Sequence, residues 1–353
     1  MSAPAKPPNR AAQRALLAWY RRHRRDLPWR RTRDPWRVWV SEVMLQQTRV
    51  AAATPYYERF VARFPGVRAF AAASLEEALA SWAGLGYYRR ARQLHEAARL
   101  VVREHAGRVP SDAAAFAALP GVGRYTLGAV HSISFDSPLP VLDGNVARVL
   151  ARWLARPLQA KRPADAKVLW AEAAARVPAA SPGDWNQALM ELGATICTPR
   201  APRCGACPVR AHCRAFALGT PEAFPPAAPR RAAERLRRAI VLIERRGHVL
   251  VTRLDGPLLA GLWEPPGADL AAGAGARRSL GGALRALGLR AALADTGVRV
   301  RHTITHRAIE VELWRGTLRE PPPRRANLRW ADAANRDVAL SALARKAIGR
   351  RAG

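Results

Sequence analysis

An all-α half followed by a smaller α+β half is the organisation that the 353-residue sequence predicts, and three observations carry it. From Arg10 to about Arg214, apolar residues recur at three- and four-residue spacing with breaks at Pro or Gly, which is the helical period. A Pro-rich stretch from Gly219 to Pro229 then supports neither helix nor sheet. Beyond it the pattern changes to short β-rich runs around one Ala/Leu/Arg helix. The expected boundaries are a helical domain over 1–217, a Pro/Arg-rich linker over 218–235 and a second domain over 236–353.

The elements follow in order. Asp34-Pro35 is an N-cap and N1 pair that starts a helix running through Trp36, Trp39, Val43 and Leu45. Periodicity predicts further helices over Tyr87 to Glu104, Arg124 to Ser134, Gly144 to Leu154, Ala164 to Val177 and Asp184 to Ala194. In the second domain, strands at Ala239 to Ile243 and Val249 to Thr252 are joined by the turn Arg245-Arg246-Gly247. A helix near Ala276 to Leu287, strands near Val298 to Thr303 and Ala308 to Leu318, and a helix near Ala339 to Ile348 complete it.

Composition excludes two classes. With 49% apolar residues and eleven Trp the chain is too hydrophobic to stay unfolded, and no run of about 18 uncharged apolar residues exists to span a membrane. The first ten residues contain no apolar signal core, so a cytoplasmic location is expected. Of the 58 basic residues only four are Lys, a ratio that GC-rich coding explains; the excess over 27 acidic residues is not explained that way. Up to residue 225 there are 33 basic and 16 acidic residues, and after it 25 and 11, so both halves suit a polyanion such as DNA.

Three groups of residues carry chemistry. All four cysteines fall in Cys197-x6-Cys204-x2-Cys207-x5-Cys213, a clustering of thiolates that binds zinc or an iron-sulfur cluster. Arg200 and Arg203, between the first two, suit a phosphate. Leu119-Pro120-Gly121-Val122-Gly123-Arg124-Tyr125 is a Gly-x-Gly turn entering a helix, where free backbone N–H groups let a phosphate approach. Asp143 stands just ahead of a helix, and Glu42 stands among apolar helical neighbours that would raise its pKa toward that of a general acid. One carboxyl held protonated and one ionised is the pairing that breaks glycosidic bonds.

The helical half resembles, over nearly its whole length, the helix-hairpin-helix DNA glycosylases of the endonuclease III branch, through the Leu-Pro-Gly-Val-Gly hairpin, Asp143 and the 197–213 cysteine loop. Within that branch the chain is similar to the MutY-type adenine DNA glycosylases, through Leu27-Pro28-Trp29-Arg30, Ser41 to Thr48, Gly84-Leu85-Gly86-Tyr87-Tyr88 and Asp143-Gly144-Asn145-Val146. The resemblance implies a multidomain protein with a helix-hairpin-helix glycosylase domain, a 4Fe-4S cluster on Cys197, Cys204, Cys207 and Cys213, and a Nudix-like C-terminal domain. It implies that Glu42 protonates a flipped-out adenine and helps activate water, and that Asp143 stabilises the sugar cation, with Tyr125 and Asn145 in support. Trp29 and Arg30 are expected in the adenine pocket. Gln47, Leu85 and Tyr87 are expected to wedge into the base stack, and Gln46, Thr48, Gly121, Gly123 and Arg124 to contact DNA. The implied partner is duplex DNA carrying A opposite 8-oxoguanine or G, bound by a monomer in base excision repair.

Two features refine that expectation. A strand-cleaving glycosylase needs an amine nucleophile, yet no Lys occurs between Lys6 and Lys161, and Arg cannot be deprotonated to replace it. A monofunctional enzyme is therefore expected. A Nudix hydrolase needs a Glu-dense helix for magnesium, yet no acidic residue lies between Asp269 and Asp295, so no catalytic metal is expected in the second domain. That domain is expected to read the lesion through Thr305 and His306. The alternatives are an endonuclease III-like or other mismatch glycosylase, and a non-catalytic iron-sulfur DNA-binding module.

Overall fold

The computed structural model describes residues 10–227, 232–256, 259–304, 306–332 and 338–350. Contacts divide the chain into two compact units: Met1–Ala71 with Glu96–Ala228, and Ala72–His95 with Pro229–Gly353. The segment 72–95 thus lies inside the helical half in sequence and packs with the second unit.

The helices of the first half are α1 (Arg10–His23), α2 (Pro35–Leu45), α3 (Val50–Arg63), α4 (Val67–Ala72), α5 (Leu75–Trp82), α6 (Arg89–Glu104), α7 (Ala113–Ala117), α8 (Arg124–Phe135), α9 (Gly144–Leu154), α10 (Pro163–Ala174), α11 (Pro182–Thr195) and α12 (Arg214–Ala217). Asp34 caps α2 as its sequence predicts, accepting from the Trp36 N–H at 2.9 Å with Pro35 at N1. From Val38 to Met44 every residue of α2 is buried, so this part of the helix has no solvent face and a polar side chain on it is desolvated. One core joins Leu16 and Tyr20 of α1, Val146 and Leu150 of α9, and Trp185, Leu189 and Leu192 of α11. Close approach is built in with glycine: a Cβ on Gly128 of α8 would collide with the Pro140 carbonyl, and one on Gly193 of α11 would lie 2.6 Å from the Asn145 Cβ. The stretch expected as linker is partly ordered against this unit, with a 3-10 turn at Pro221–Ala223 and a Glu222 carboxylate accepting from the Ala201 N–H at 3.1 Å.

Helix α6 begins at Arg89 rather than Tyr87, because Tyr87 takes a left-handed backbone (φ 49°) after Gly84 (φ 109°) and Gly86 (φ 73°). That loop is braced from within. The Trp82 indole donates to the Gly86 carbonyl at 3.3 Å, the Gly84 N–H donates to the Tyr88 hydroxyl at 3.1 Å, and the Arg90 guanidinium donates to the Gly86 carbonyl at 3.2 Å.

The sheet of the second unit consists of β1 (Glu234–Arg245), β2 (His248–Arg253), β3 (Trp263–Glu264), β4 (Gly267–Leu270), β5 (Ala291–Ile304), β6 (Arg307–Leu318) and β7 (Leu328–Asp332), with α13 (Ala276–Ala286) and α14 (Ala342–Gly349). The order is β3-β2-β1-β6-β5, with β4 added to β1 and β7 to β2. The β1–β6 pair is parallel and the remaining strand pairs are antiparallel, so the sheet is mixed. Ala239, Val241 and Ile243 alternate onto the face covered by Leu280 and Leu284 of α13. Strand β5 is much longer than the predicted Val298 to Thr303, because the register shift between Asp295 and Arg299 lets it continue past Gly297 (φ 71°) instead of ending there. No helix among the described residues is long and apolar enough to cross a membrane.

Candidate active site

A cavity of about 540 Å³ opens in the first unit, bordered by the turn before α2, by α2 itself and by the ends of α8, α9 and α11. Glu42 reaches it from α2 and is only 5% exposed. Its Oε2 accepts a 2.6 Å hydrogen bond from the Tyr125 hydroxyl at the start of α8. Burial is the main force on Glu42; the nearby negative Asp143 adds to it, while the Tyr125 hydrogen bond and the charge of Arg30 oppose it. The balance pushes its pKa from 4.5 up to about 7. Burial, Glu42 and Asp143 together lift the Tyr125 phenol well above its ordinary value, so it remains a donor.

Asp143 is both an N-cap and a wall of the cavity. Its Oδ1 accepts from the Val146 N–H at 2.7 Å and its Oδ2 from the Asn145 side-chain amide at 2.9 Å. Burial raises its pKa above the usual aspartate value, while these donors and the charge of Arg148 act to keep it ionised. Asn145 is itself held, because Arg148 donates to its Oδ1 at 2.9 Å and to the Gly193 carbonyl at 2.8 Å. The same guanidinium donates to the Cys197 carbonyl at 2.8 Å, so a hydrogen-bonded path runs from the cavity to the cysteine loop.

A third carboxylate, Glu191 of α11, faces the cavity in an electrostatic state opposite to that of Glu42. It is wholly buried, yet Arg25 donates to it at 2.8 and 2.7 Å and Arg30 at 2.8 Å. Burial alone would raise its pKa; the two arginines overcome that and bring it down to about 2. Trp29 closes the wall, edge-on to Tyr57 with ring centroids 5.3 Å apart. Glu191, Arg25 and Arg148 are absent from the sequence expectations. The available signal for Glu191 was its place on the α11 face that also carries Ala188 and Leu192, where a buried acid demands a partner.

The cavity brings together Trp29, Arg30, Glu42, Gln46, Gln47, Thr48, Tyr125, Asp143 and Asn145. Other expected positions lie outside its lining. Gly121 (φ 77°), Gly123 and Arg124 form an exposed hairpin; Gly123 caps α8 without a side-chain acceptor, and the Arg124 guanidinium stacks 4.1 Å from the Trp170 ring. Gln46 turns inward, its amide donating to the Thr126 hydroxyl at 3.4 Å, whereas Gln47 is exposed with φ 57°. Tyr87 is 42% exposed, but Leu85, expected as a wedge, is 8% exposed because the braced loop folds it inward. Arg203 donates to the Thr195 carbonyl at 2.6 Å, and Arg200 is exposed. Thr305 lies outside the described residues. His306 stands 3.6 Å from Glu234, whose backbone N–H also donates to the His306 carbonyl.

The four cysteines border one small cavity of about 30 Å³ together with Arg152 and Arg210. Among the described residues no three His, Cys, Asp or Glu side chains are close enough to hold a single metal ion. Burial raises the thiol pKa of Cys204, Cys207 and Cys213, that of Cys207 to about 12. Four sulfur donors around one cavity are a soft-ligand set that fits an iron-sulfur group, whose positive charge would draw off the thiol protons.

Comparison with known proteins finds family models along the chain. The model for HhH-GPD superfamily base excision DNA repair proteins matches residues 40–172, that for the iron-sulfur binding domain of endonuclease III matches 197–213, and that for the NUDIX domain matches 238–350. An adenine DNA glycosylase of Mycolicibacterium smegmatis is 44% identical over 207 residues, covering 58% of this chain and 70% of the relative. That of Mus musculus is 42% identical over 308 residues, covering 72% of this chain but 60% of the relative, so the chain spans well under the mouse protein's full length. Among solved structures, a thermostable thymine-DNA glycosylase is 31% identical with a TM-score of 0.54, covering 58% of this chain and 95% of that one.

Proposed function

The chain belongs to the adenine DNA glycosylase family, and from that premise we propose that it removes adenine mispaired with 8-oxoguanine or G from duplex DNA, as a monofunctional enzyme of base excision repair. The observation that carries the proposal is the meeting, in one cavity, of Glu42 with its pKa pushed up to about 7 and Asp143 with both oxygens held by hydrogen-bond donors.

Adenine inside a duplex hides its glycosidic bond, so the nucleotide is swung out into the cavity, between Trp29 and the apolar wall of α2. Glu42, near half-protonated at neutral pH, gives its proton to a ring nitrogen of the base; the bond from the sugar C1′ to the base then breaks with its electron pair leaving on the base. Positive charge develops on the sugar. Asp143, fixed by Val146 and Asn145 so that both oxygens are occupied as acceptors, is the group placed to stabilise it. Water adds to C1′ and returns a proton to the Glu42 carboxylate. No lysine stands in the hairpin to form a Schiff base, so an abasic site is the product.

Gly121, Gly123 and Arg124, with Gln46, Gln47, Thr48, Leu85, Tyr87, Arg200 and Arg203, are assigned to the DNA. The exposed α8 N-terminus, whose N–H groups meet no capping side chain, supports the hairpin part of that assignment. Cys197, Cys204, Cys207 and Cys213 are assigned to a 4Fe-4S cluster, which supplies a rigid anchor for the loop that Arg148 ties to Asn145. The second domain, without acidic residues between Asp269 and Asp295, is assigned to lesion reading through Thr305 and His306, without a catalytic metal. The protein is assigned as a cytoplasmic monomer. Incubation with duplexes carrying A opposite 8-oxoguanine, G, C or T, followed by alkali, tests the whole reading. Abasic sites at A opposite 8-oxoguanine and G are expected; strand breaks without alkali, or release of a pyrimidine, would overturn it.

A further inference from the structure

Arg152 lies on α9 and is 2% exposed, yet among the described residues it makes no ion pair with a carboxylate. Its guanidinium donates instead to the Cys197 Sγ at 3.3 Å, to the Thr198 carbonyl at 2.7 Å, to the Pro199 carbonyl at 3.0 Å and to the Phe224 carbonyl at 2.9 Å. Its own carbonyl lies 3.5 Å from the Cys213 Sγ. Desolvating an arginine charge among neutral carbonyls alone is costly, because hydrogen bonds satisfy its donors and leave its charge unbalanced. Among the described residues the lining of the cysteine cavity includes no carboxylate, whereas four thiolates around an iron-sulfur core carry a net negative charge.

We propose that Arg152 is the buried counter-ion of the cysteine-bound cluster, holding its charge balance and its loop together. The inference rests on the reading that the four cysteines bind an iron-sulfur cluster. Geometry gives the residue two separable jobs. Its charge, beside Cys197, favours the more negative, reduced state of the cluster and so raises the reduction potential. Its planar fork spans Thr198, Pro199 and Phe224 at once, which fastens the loop after the first cysteine to the stretch leaving α12; a lysine ammonium keeps the charge but not that span.

The test uses the full chain purified with its cluster. Iron and acid-labile sulfide in the wild type decide the underlying reading first: zinc, or no metal, would end it there, independently of Arg152. Given a loaded wild type, the potential is measured by spectroelectrochemistry, and cluster lifetime by bleaching of its visible absorption in chelator, for Arg152→Gln and Arg152→Lys. Arg152→Gln is expected to show a more negative potential and several-fold faster bleaching. Arg152→Lys is expected to hold the potential near wild type while bleaching at an intermediate rate. If Arg152→Gln does not load at all, normal iron content in Arg152→Lys supports the charge assignment. An unchanged potential in loaded Arg152→Gln, or failure of both variants to load, overturns it, the second result marking Arg152 as a packing residue.

Discussion

Glu42 and Glu191 border the same cavity, both almost without solvent contact, and their pKa values are pushed in opposite directions. Glu42 is pushed up to about 7 because its principal environment is apolar helix, with one phenol donor and a neighbouring anion. Glu191 is brought down to about 2 because two guanidinium groups supply several charged donors. Burial is common to both and so does not decide the proton; the partners do. An acid that donates a proton and an acid that only anchors cations are therefore distinguishable by their neighbours.

The largest expected effect comes from removing the proposed proton donor: Glu42→Gln lowers the single-turnover rate of adenine release by about 10²–10⁴, with duplex binding retained in a gel-shift assay. The corresponding change in the other acid acts on folding first. Glu191→Gln leaves Arg25 and Arg30 without their counter-charge and destabilises by roughly 3 kcal/mol, as the shift in urea midpoint measures. Because Arg30 then bears less neutralised charge, the alkaline limb of the rate profile moves to lower pH. Linkage gives a third effect of similar size. Glu42 has a folded pKa above its unfolded one, so its contribution favours folding at low pH and is lost as pH rises from 4.5 through about 7. That loss is about 3 kcal/mol, and it is absent from the pH dependence of urea unfolding in Glu42→Gln. Gly193→Ala pushes on Asn145 and costs on the order of 1–3 kcal/mol by overpacking, with a fall in rate beyond what stability explains. Smallest is Tyr125→Phe, which removes a donor that lowers the Glu42 pKa; the alkaline limb shifts upward and the maximum rate falls modestly.

Much of the site was legible beforehand because its positions are fixed by local signals. Asp34-Pro35 sets the start of α2 and thereby the burial of Glu42, and Asp143 is recognisable as a cap before α9. What stayed hidden depends on long-range pairing. Arg25 and Glu191 are 166 residues apart in sequence, and no local period announces that they meet. The inward turns of Gln46 and Leu85 likewise depend on Thr126 and on a loop held by left-handed backbone at Tyr87. The grouping of 72–95 with the second unit has no composition break to mark it, since α5 and α6 read as ordinary amphipathic helices. In the second domain, strand lengths were underestimated where a bulge carries β5 through a glycine.

The central claim is that Glu42 works as a protonated acid in an apolar wall. Single-turnover release of adenine from a duplex with A opposite 8-oxoguanine, followed across pH in wild type and Glu42→Asp, tests it most directly. The account predicts a wild-type rate that falls as pH rises through about 7 and a shortened side chain that loses most of the rate. A wild-type rate that stays flat through that range, or that rises with deprotonation, would contradict it.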